Sequence, residues 1–549
     1  MSVASYTRGC HLLNHDDVIG TRRVSYILYM PLPHYQLWQK EWGGALELYP
    51  VSVNQDGQSE PDPIPAKSIS PSWNQFIFFQ VQPGKSFHAV EEVVVSEDDS
   101  GKARLSISGW FHAPQEGEEG YVAEAPSTQI KSSREQLVCS VSLFYFRKSN
   151  HGSKKSSFTA FKPYTSLHPE SLPDAALSND DVAFLTEFLN PVYLQPRTMR
   201  ALAARFVEES SLELHSFLNH ALAEVLEPRL RDLDIRDGLG EGRPLRIPPH
   251  TSGMVRAWSL KGPPHKWRYC VLNGLNENTK KVEIVSPRAH ASSVEEIMRS
   301  LQNELFPSAA FRAWLAIVTR LMPMKYAVEA RRFRPGLDYT LATSEDKDAR
   351  LDVVLGLTPP VRDPPDSSEE EDDPQRTGSR QFPRKLGREA NRGWAMAEWG
   401  GWECYMAPHN EEDDPAIYRS GSQKNEGTSR TVPSSLSGTS TSTSMSPSKA
   451  KVVEPDCCFR SLSPSHSSSN SIHSLENGDL SAGDSSDGFE EEDSTLLTVQ
   501  PGYNRLLLVL RDERVMRFVK YVSAAAEGSR WDICGEYEVG MLEEQEQDA

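Results

Sequence analysis

One β pattern occurs twice in this chain. The segments "WGGALELYP" (42–50), "NQFIFFQVQPGKSFHAVEEVV" (74–94) and "RLSISGWF" (104–111) return in the same order. Their second versions are "WGGWECYMAP" (399–408), "NRLLLVLRDERVMRFVKYVSAA" (504–525) and "RWDICGEYEV" (530–539). Each copy has a Trp-Gly-Gly corner, an Asn opening an apolar strand, a Phe-centred strand and an Arg opening a last strand. Upstream, "RLDVVLGLTPP" (350–360) matches "RVSYILYMPLP" (23–33). Period-two alternation marks these segments as strands, and their ordered recurrence marks a duplicated β fold.

The remaining sequence divides around the two copies. Residues 1–112 read as one all-β domain. Residues 113–178, including "FRKSNHGSKKSS", read as an inserted loop, and 179–229 as a helical connector. In the connector Asn179 is expected to cap "DDVAFLTEFL". Met199, Leu202, Ala203, Phe206 and Val207 form one apolar stripe, and Leu214, Phe217, Leu218, Ala221, Leu222 and Val225 another. The second copy takes residues 230–362, 395–408 and 495–549. It is interrupted by helices near 294–305 and 309–321, the first opened by a Ser293–Glu296 capping box. Two tracts lack the apolar content to offset the entropy of ordering: the acidic 363–394 and the Ser/Thr-rich 409–494.

Composition excludes several functions. The formal net charge of -19 argues against a nucleic-acid backbone as a direct partner. Cys10, Cys139, Cys270, Cys404, Cys457, Cys458 and Cys534 are scattered and contain no CxxC, which fits a reducing compartment without a disulfide framework or thiolate zinc site. No apolar run reaches the roughly 18 residues of a membrane helix. "MSVASYTRGC" has no signal-peptide core. These features predict a soluble intracellular protein.

The copies differ in their polar residues. Copy one has His15 and Asp17, where copy two has "LATSEDKDAR" (341–350). His88 aligns with Val519, Tyr29 with Gly356 and Arg104 with Arg530. Packing residues tend to survive in both copies, so polar residues confined to one point to chemistry there. His15 and Asp17, two apart at a strand end, are expected to share a face, with Asp16 pointing away. With His88 they make a facial triad suited to non-haem Fe(II), with zinc the competing metal. Arg104 favours iron, because a buried guanidinium beyond the triad suits the far carboxylate of a 2-oxo diacid. Tyr29 is placed to donate to the same carboxylate.

Each residue also has a plain reading. A lone HxD occurs by chance. His88 reads equally as a satisfied core histidine, Arg104 as a structural ion pair, and Arg22 and Arg23 as a charged rim. His11 stands four before His15, a spacing that pairs metal ligands only on a helix, and this segment reads as strand. His112 looks like loop entry.

The joint pattern resembles a known family. "HLLNHDDVIGTRRVSYILYMP", "WGGALELYP", "SWNQFIFFQVQPGKSFHAVEEV" and "RLSISGWFH" resemble the catalytic domain of the Tpa/Ofd/OGFOD-type prolyl hydroxylases. "FRPGLDYTLA" (333–342) and 504–539 resemble that family's non-catalytic C-terminal domain. The resemblance implies a mainly β protein with helices: two double-stranded β-helix (jelly-roll) domains joined by a helical segment, plus disordered insertions. It implies a 2-oxoglutarate- and Fe(II)-dependent dioxygenase that hydroxylates a prolyl residue of a protein, with ascorbate maintaining the iron. His15, Asp17 and His88 fall on the iron ligands, Tyr29 and Arg104 on the 2-oxoglutarate ligands. The implied substrate is a small-subunit ribosomal protein, with a role in translation termination, and the implied location nucleus and cytoplasm. Two departures are the longer loop "SEDDSGKA" before Arg104 and a start close to the first metal strand, which reads as an N-terminal truncation. The alternative is a non-enzymatic regulatory protein acting in degradation or translation.

Overall fold

The computed structural model describes residues 2–30, 37–54, 57–96, 101–121, 161–164, 176–255, 257–273, 293–342, 349–362, 393–407, 459–460, 495–512 and 515–541. The tracts 363–394 and 409–494 fall largely outside these residues, as does most of 113–178.

The first domain contains β1 (Ser2–Tyr6), β2 (Leu12–His15), β3 (Arg22–Tyr29), β4 (Leu46–Leu48), β5 (Val51–Val53) and β6 (Ser59–Pro61). It continues with β7 (Lys67–Ile69), β8 (Gln75–Gln80), β9 (His88–Val90) and β10 (Arg104–His112). The strands form an antiparallel sheet β1-β10-β3-β8 and a second sheet β2-β9-β4-β7. A short strand from the Ser-rich tract, Phe459–Arg460, extends the first sheet by pairing with Val3 and Ala4. Tyr6, Cys10, Val90, Val93 and Val95 fill one end of the interior.

The Trp-Gly-Gly corner has one construction in both copies. A 3-10 turn ends at Trp42 or Trp399, and the next two glycines have φ of 66° and 70° in copy one and 64° and 71° in copy two. A Cβ on Gly43 would collide with the Glu92 carbonyl oxygen, and one on Gly400 with that of Tyr521. Glycine is therefore required by both backbone conformation and space.

The second domain contains the larger core. Its strands are β11 (Lys162–Pro163), β12 (Ser211–His215), β13 (Trp258–Lys261), β14 (Trp267–Leu272), β15 (Leu321–Phe333), β16 (Tyr339–Thr340) and β17 (Arg350–Leu357). Then come β18 (Glu403–Met406), β19 (Phe459–Arg460, the strand on β1), β20 (Thr495–Val499), β21 (Tyr503–Arg511), β22 (Met516–Val519) and β23 (Arg530–Met541). One sheet runs β12-β21-β17-β23-β15-β14-β13, the other β20-β18-β22. Helices α1 (Asn179–Thr186), α2 (Pro196–Glu209), α3 (His220–Arg236), α4 (Val294–Ser300) and α5 (Ala309–Thr319) share one apolar cluster with this sheet, including Phe206, Leu226, Trp314, Leu355 and Trp531. The helices expected as a connector are thus built into the core of the second domain.

Three local expectations are corrected. The cap of α1 is Ser178, whose hydroxyl accepts from Asp181 N in a capping box, and Asn179 is the first helical residue. The single helix expected over 214–225 is split. Leu212 and Leu214 are buried on β12, which pairs with β21, and α3 begins only at His220. Ser216 takes a left-handed φ of 51°, and Asn219 caps α3 by accepting from Leu222 N, so the chain turns where the apolar stripe ran on. The capping box of Ser293 and Glu296 does form, on α4.

The third correction concerns the copies. His88 lies opposite Leu48 on β4, and Arg517 lies opposite Tyr405 on β18. Gly43 bridges Val93 and Gly400 bridges Val522, which fixes the correspondence. The counterpart of His88 is therefore Arg517, two residues from the expected Val519. Arg104 and Arg530 do correspond: Tyr6 faces Arg104, and Phe333 faces Arg530. Tyr29 opposite Ser106 matches Gly356 opposite Asp532.

The two domains dock through polar contacts beside β4 and β9. Glu92 accepts from Ser523 Oγ at 2.5 Å and from Ala524 N at 2.7 Å. His250 Nε2 and Glu47 Oε1 are 2.6 Å apart, and Tyr49 OH accepts from Arg268 at 2.8 Å.

Candidate active site

His15 ends β2 directly opposite His88, the first residue of β9. Asp17 does not continue the strand, as expected from alternation. It takes a left-handed φ of 59°, and this turn brings its carboxylate between the two imidazoles. Nε2 of His15 is 3.4 Å from Asp17 Oδ1, and Nε2 of His88 is 3.5 Å from Oδ2. The donor atoms of all three residues lie within 4.8 Å of one another. Asp16 is buried and turn-forming, its Oδ1 accepting from Val18 N at 3.3 Å.

The second nitrogen of each imidazole is committed. Nδ1 of His15 is 2.8 Å from the Leu13 carbonyl, and Nδ1 of His88 is 2.8 Å from that of Ser86. Carbonyls only accept, so both Nδ1 atoms carry a proton and both Nε2 atoms face Asp17. Burial disfavours the Asp17 carboxylate, but hydrogen bonds and charge from His15 and His88 outweigh it and hold the group far below the usual range. Burial likewise lowers His88, yet Asp17 raises it further. The Asp17–His88 contact is thus a proton-held pair in a place where a divalent ion would displace the proton. Two imidazoles and one carboxylate on neighbouring segments fit a metal that keeps open positions.

Deeper in the barrel, Arg104 is 2% exposed. Its Nε donates to the Gly44 carbonyl at 2.6 Å and its Nη2 to Tyr29 OH at 3.0 Å. The guanidinium also lies over the Tyr6 ring at 4.9 Å and the Tyr29 ring at 4.8 Å. No carboxylate among the described residues is within ion-pair distance of it. A buried cation with only neutral neighbours is a seat for an anionic ligand. Burial raises the Tyr29 hydroxyl, against the opposing influence of Arg104, so it stays a donor.

Four residues at the triad were not anticipated. Ser25 Oγ and Trp110 Nε1 donate to Asp17 Oδ2 at 3.0 and 3.1 Å. Arg22, expected on a charged rim, lies 3.6 Å over the Trp110 ring and 3.9 Å from Asp17 Oδ1. Phe79 meets the His88 ring edge-on, centroids 4.8 Å apart. Parity was the available signal: Ser25 stands four before Tyr29 on β3, and Trp110 six after Arg104 on β10. Two other histidines singled out by the sequence lie elsewhere. His11 stacks on Tyr521 at 4.0 Å, and His112 meets Thr21 at 3.0 Å.

In the second barrel the matching positions hold charges. Asp352 stands for Ser25, Glu536 for Trp110, Asp532 for Ser106 and Arg517 for His88. Arg530 pairs with Glu403 and, at 2.8 Å, with Asp532. Arg517 meets Glu403 at 2.7 Å and Asp352 at 3.3 Å. These residues neutralise one another within the barrel. Residues 343–348, aligned with Asp16 and Asp17, lie outside the described residues.

Fold and site together define an oxygenase domain of the 2-oxoglutarate/Fe(II) class. Residues 1–112 match the 2OG-Fe(II) oxygenase superfamily. Residues 180–449 and 458–547 match the family described as oxoglutarate and iron-dependent oxygenase degradation C-term, and the chain belongs to that family. It is 28% identical over 536 residues to prolyl 3,4-dihydroxylase OGFOD1 of Ostreococcus tauri, covering 97% of this chain and 76% of that protein. It is 45% identical over 112 residues to prolyl 3-hydroxylase OGFOD1 of Xenopus laevis, covering 20% of this chain and 19% of the relative. With prolyl 3-hydroxylase OGFOD1 of Mus musculus it is 33% identical over 228 residues, 41% of this chain and 31% of the relative.

Proposed function

We propose that this chain hydroxylates a prolyl residue of a protein substrate, with Fe(II) held by His15, Asp17 and His88. The observation that carries the reading is one barrel holding both a His-Asp-His donor set and Arg104, a buried cation with no acid paired to it among the described residues. Arg104 and Tyr29 would take the far carboxylate of 2-oxoglutarate as a charge-assisted pair. Dioxygen would be the oxidant: with Fe(II) and 2-oxoglutarate held in this site, one of its oxygen atoms would enter succinate, formed together with carbon dioxide, and the other the prolyl ring. The protein positions and shields the reactants. Ser25 and Trp110 fix the Asp17 carboxylate, the Leu13 and Ser86 carbonyls fix the imidazoles, and Phe79 packs edge-on against His88.

The prolyl preference is supported by the names of the relatives. A small-subunit ribosomal protein as substrate, ascorbate as reductant, and action in nucleus and cytoplasm complete the proposal. The test is anaerobic addition of Fe(II) and 2-oxoglutarate to the full chain, followed by oxygen and a proline-containing ribosomal peptide. A visible charge-transfer band and a peptide gaining one oxygen per succinate are expected. A band without peptide oxidation removes the substrate, and no band removes the oxygenase reading.

A further inference from the structure

A second set of metal-type donors meets in the seam between the domains. Glu47 on β4 lies opposite Ala89 on β9, one residue from the pair of Leu48 and His88. Alternation therefore turns Glu47, Ala89 and Glu91 to the face away from the triad. His250 of the second domain comes up against that face. One ligand atom from each of Glu47, Glu91 and His250 lies within 4.8 Å of the others. The three border a cleft whose walls include Leu13, Ala89 and Tyr339. Nε2 of His250 is 2.6 Å from Glu47 Oε1, and Tyr49 OH donates to Glu47 Oε2 at 2.6 Å.

Two carboxylates side by side in a seam call for positive charge. Arg268 borders the same cleft, but it is committed elsewhere. It donates to the Leu337 carbonyl at 2.8 and 2.5 Å and to Tyr49 OH at 2.8 Å, and it stands 3.8 Å from Asp338. Glu91 accepts two long hydrogen bonds, 3.3 Å from Ala45 N and 3.4 Å from Ser68 Oγ. Burial and the charge of Glu47 push its carboxyl up to about 7. The fold does not require acids at these positions. The bridges Gly43–Val93 and Gly400–Val522 set Cys404 in the place of Glu47 and Lys520 in the place of Glu91. The second copy thus has a thiol beside an amine where the first has two carboxylates, and neighbouring like charges on one sheet face cost stability.

We propose that Glu47, Glu91 and His250 form a second metal site, a zinc site that clamps the two domains and is separate from the triad. Zinc takes one imidazole and two carboxylates, with water as the fourth ligand of a tetrahedron. The ion would displace the proton shared by His250 and Glu47 and the proton held by Glu91. Leu13 and Ala89 offer no further donors to complete a six-coordinate shell, so the seam suits four-coordinate zinc and leaves Fe(II) to the triad. Because the imidazole belongs to one domain and both carboxylates to the other, the bound ion would hold the seam closed.

The test uses the full chain carrying His88→Ala as parent, so that the triad no longer competes for metal. Zinc is titrated against a chromophoric chelator, and thermal unfolding is followed with zinc and with EDTA. The parent is expected to bind one equivalent of zinc and to melt higher with it. Adding Glu91→Gln or His250→Ala is expected to weaken zinc by about a hundredfold or more, since each removes a ligand, and to abolish the rise in melting temperature. In EDTA the Glu91→Gln protein is expected to melt at or above its parent, because the like-charged pair is gone. A parent that retains no zinc overturns the proposal, as does equal zinc affinity in parent and variants. A metal-free Glu91→Gln protein that melts below its parent overturns it too, because Glu91 would then be a structural acid. Should His250→Ala fail to fold, Glu91→Gln decides the matter.

Discussion

Arg517 occupies in the second barrel the strand position that His88 occupies in the first. His88 lies opposite Leu48 and Arg517 opposite Tyr405. Where the first barrel presents an imidazole nitrogen to Asp17, the second presents a guanidinium already paired with Glu403 and Asp352. One backbone plan thus carries an open anionic-ligand seat in one copy and a closed charge network in the other.

The first prediction concerns metal stoichiometry. The full chain is expected to bind one Fe(II), and His88→Ala none, because an arginine in place of a ligand repels the ion and two remaining ligands hold it weakly. Bound metal is counted after anaerobic loading and gel filtration. One equivalent surviving in His88→Ala would place the site elsewhere.

Arg104→Ala is expected to weaken 2-oxoglutarate by at least a hundredfold while leaving Fe(II) binding intact. Removing one partner of a buried charge pair costs roughly 3–5 kcal/mol. Tyr29→Phe removes a single hydroxyl contact and should cost about 1 kcal/mol. Titration of the charge-transfer band ranks the two. Equal losses from both would mean that Arg104 is not the seat of the carboxylate.

Gly43→Ala and Gly400→Ala are each expected to destabilise by about 2 kcal/mol or more, through left-handed backbone strain and collision with the Glu92 or Tyr521 carbonyl. Denaturant unfolding checks this. An unchanged midpoint in either variant would show that the corner tolerates a side chain.

Glu92 makes docking of the domains pH-dependent. Burial pushes its carboxyl up to about 7, against the hydrogen bonds from Ala524 and Ser523 that favour the charged form. A folded-state value above the ordinary 4.5 means that the native protein holds a proton the unfolded chain has lost. Glu92 therefore takes away up to about 3 kcal/mol as pH rises from about 4.5 to 7, and nothing further above that. Glu92→Gln should gain stability relative to wild type across this window. Melting temperatures of the two proteins that run parallel from pH 5 to 7.5 would refute it.

The sequence by itself picked out the duplication, the corner glycines and the three residues, His15, Asp17 and His88, that the structure brings together. These depend on local alternation and on residue types that few other roles require. The tertiary structure decided the rest. It moved the partner of His88 from Val519 to Arg517, a shift of two residues that keeps the same face and is therefore invisible to a period-two pattern. It made a strand of Ser211–His215, because pairing with β21 outweighs a helical stripe broken at Ser216. It also brought Arg22 and Ser25 of β3 and Trp110 of β10 to Asp17, contacts set by the register between strands. Alternation within a strand fixes which side a residue faces, but only the ladder between strands fixes what it meets there.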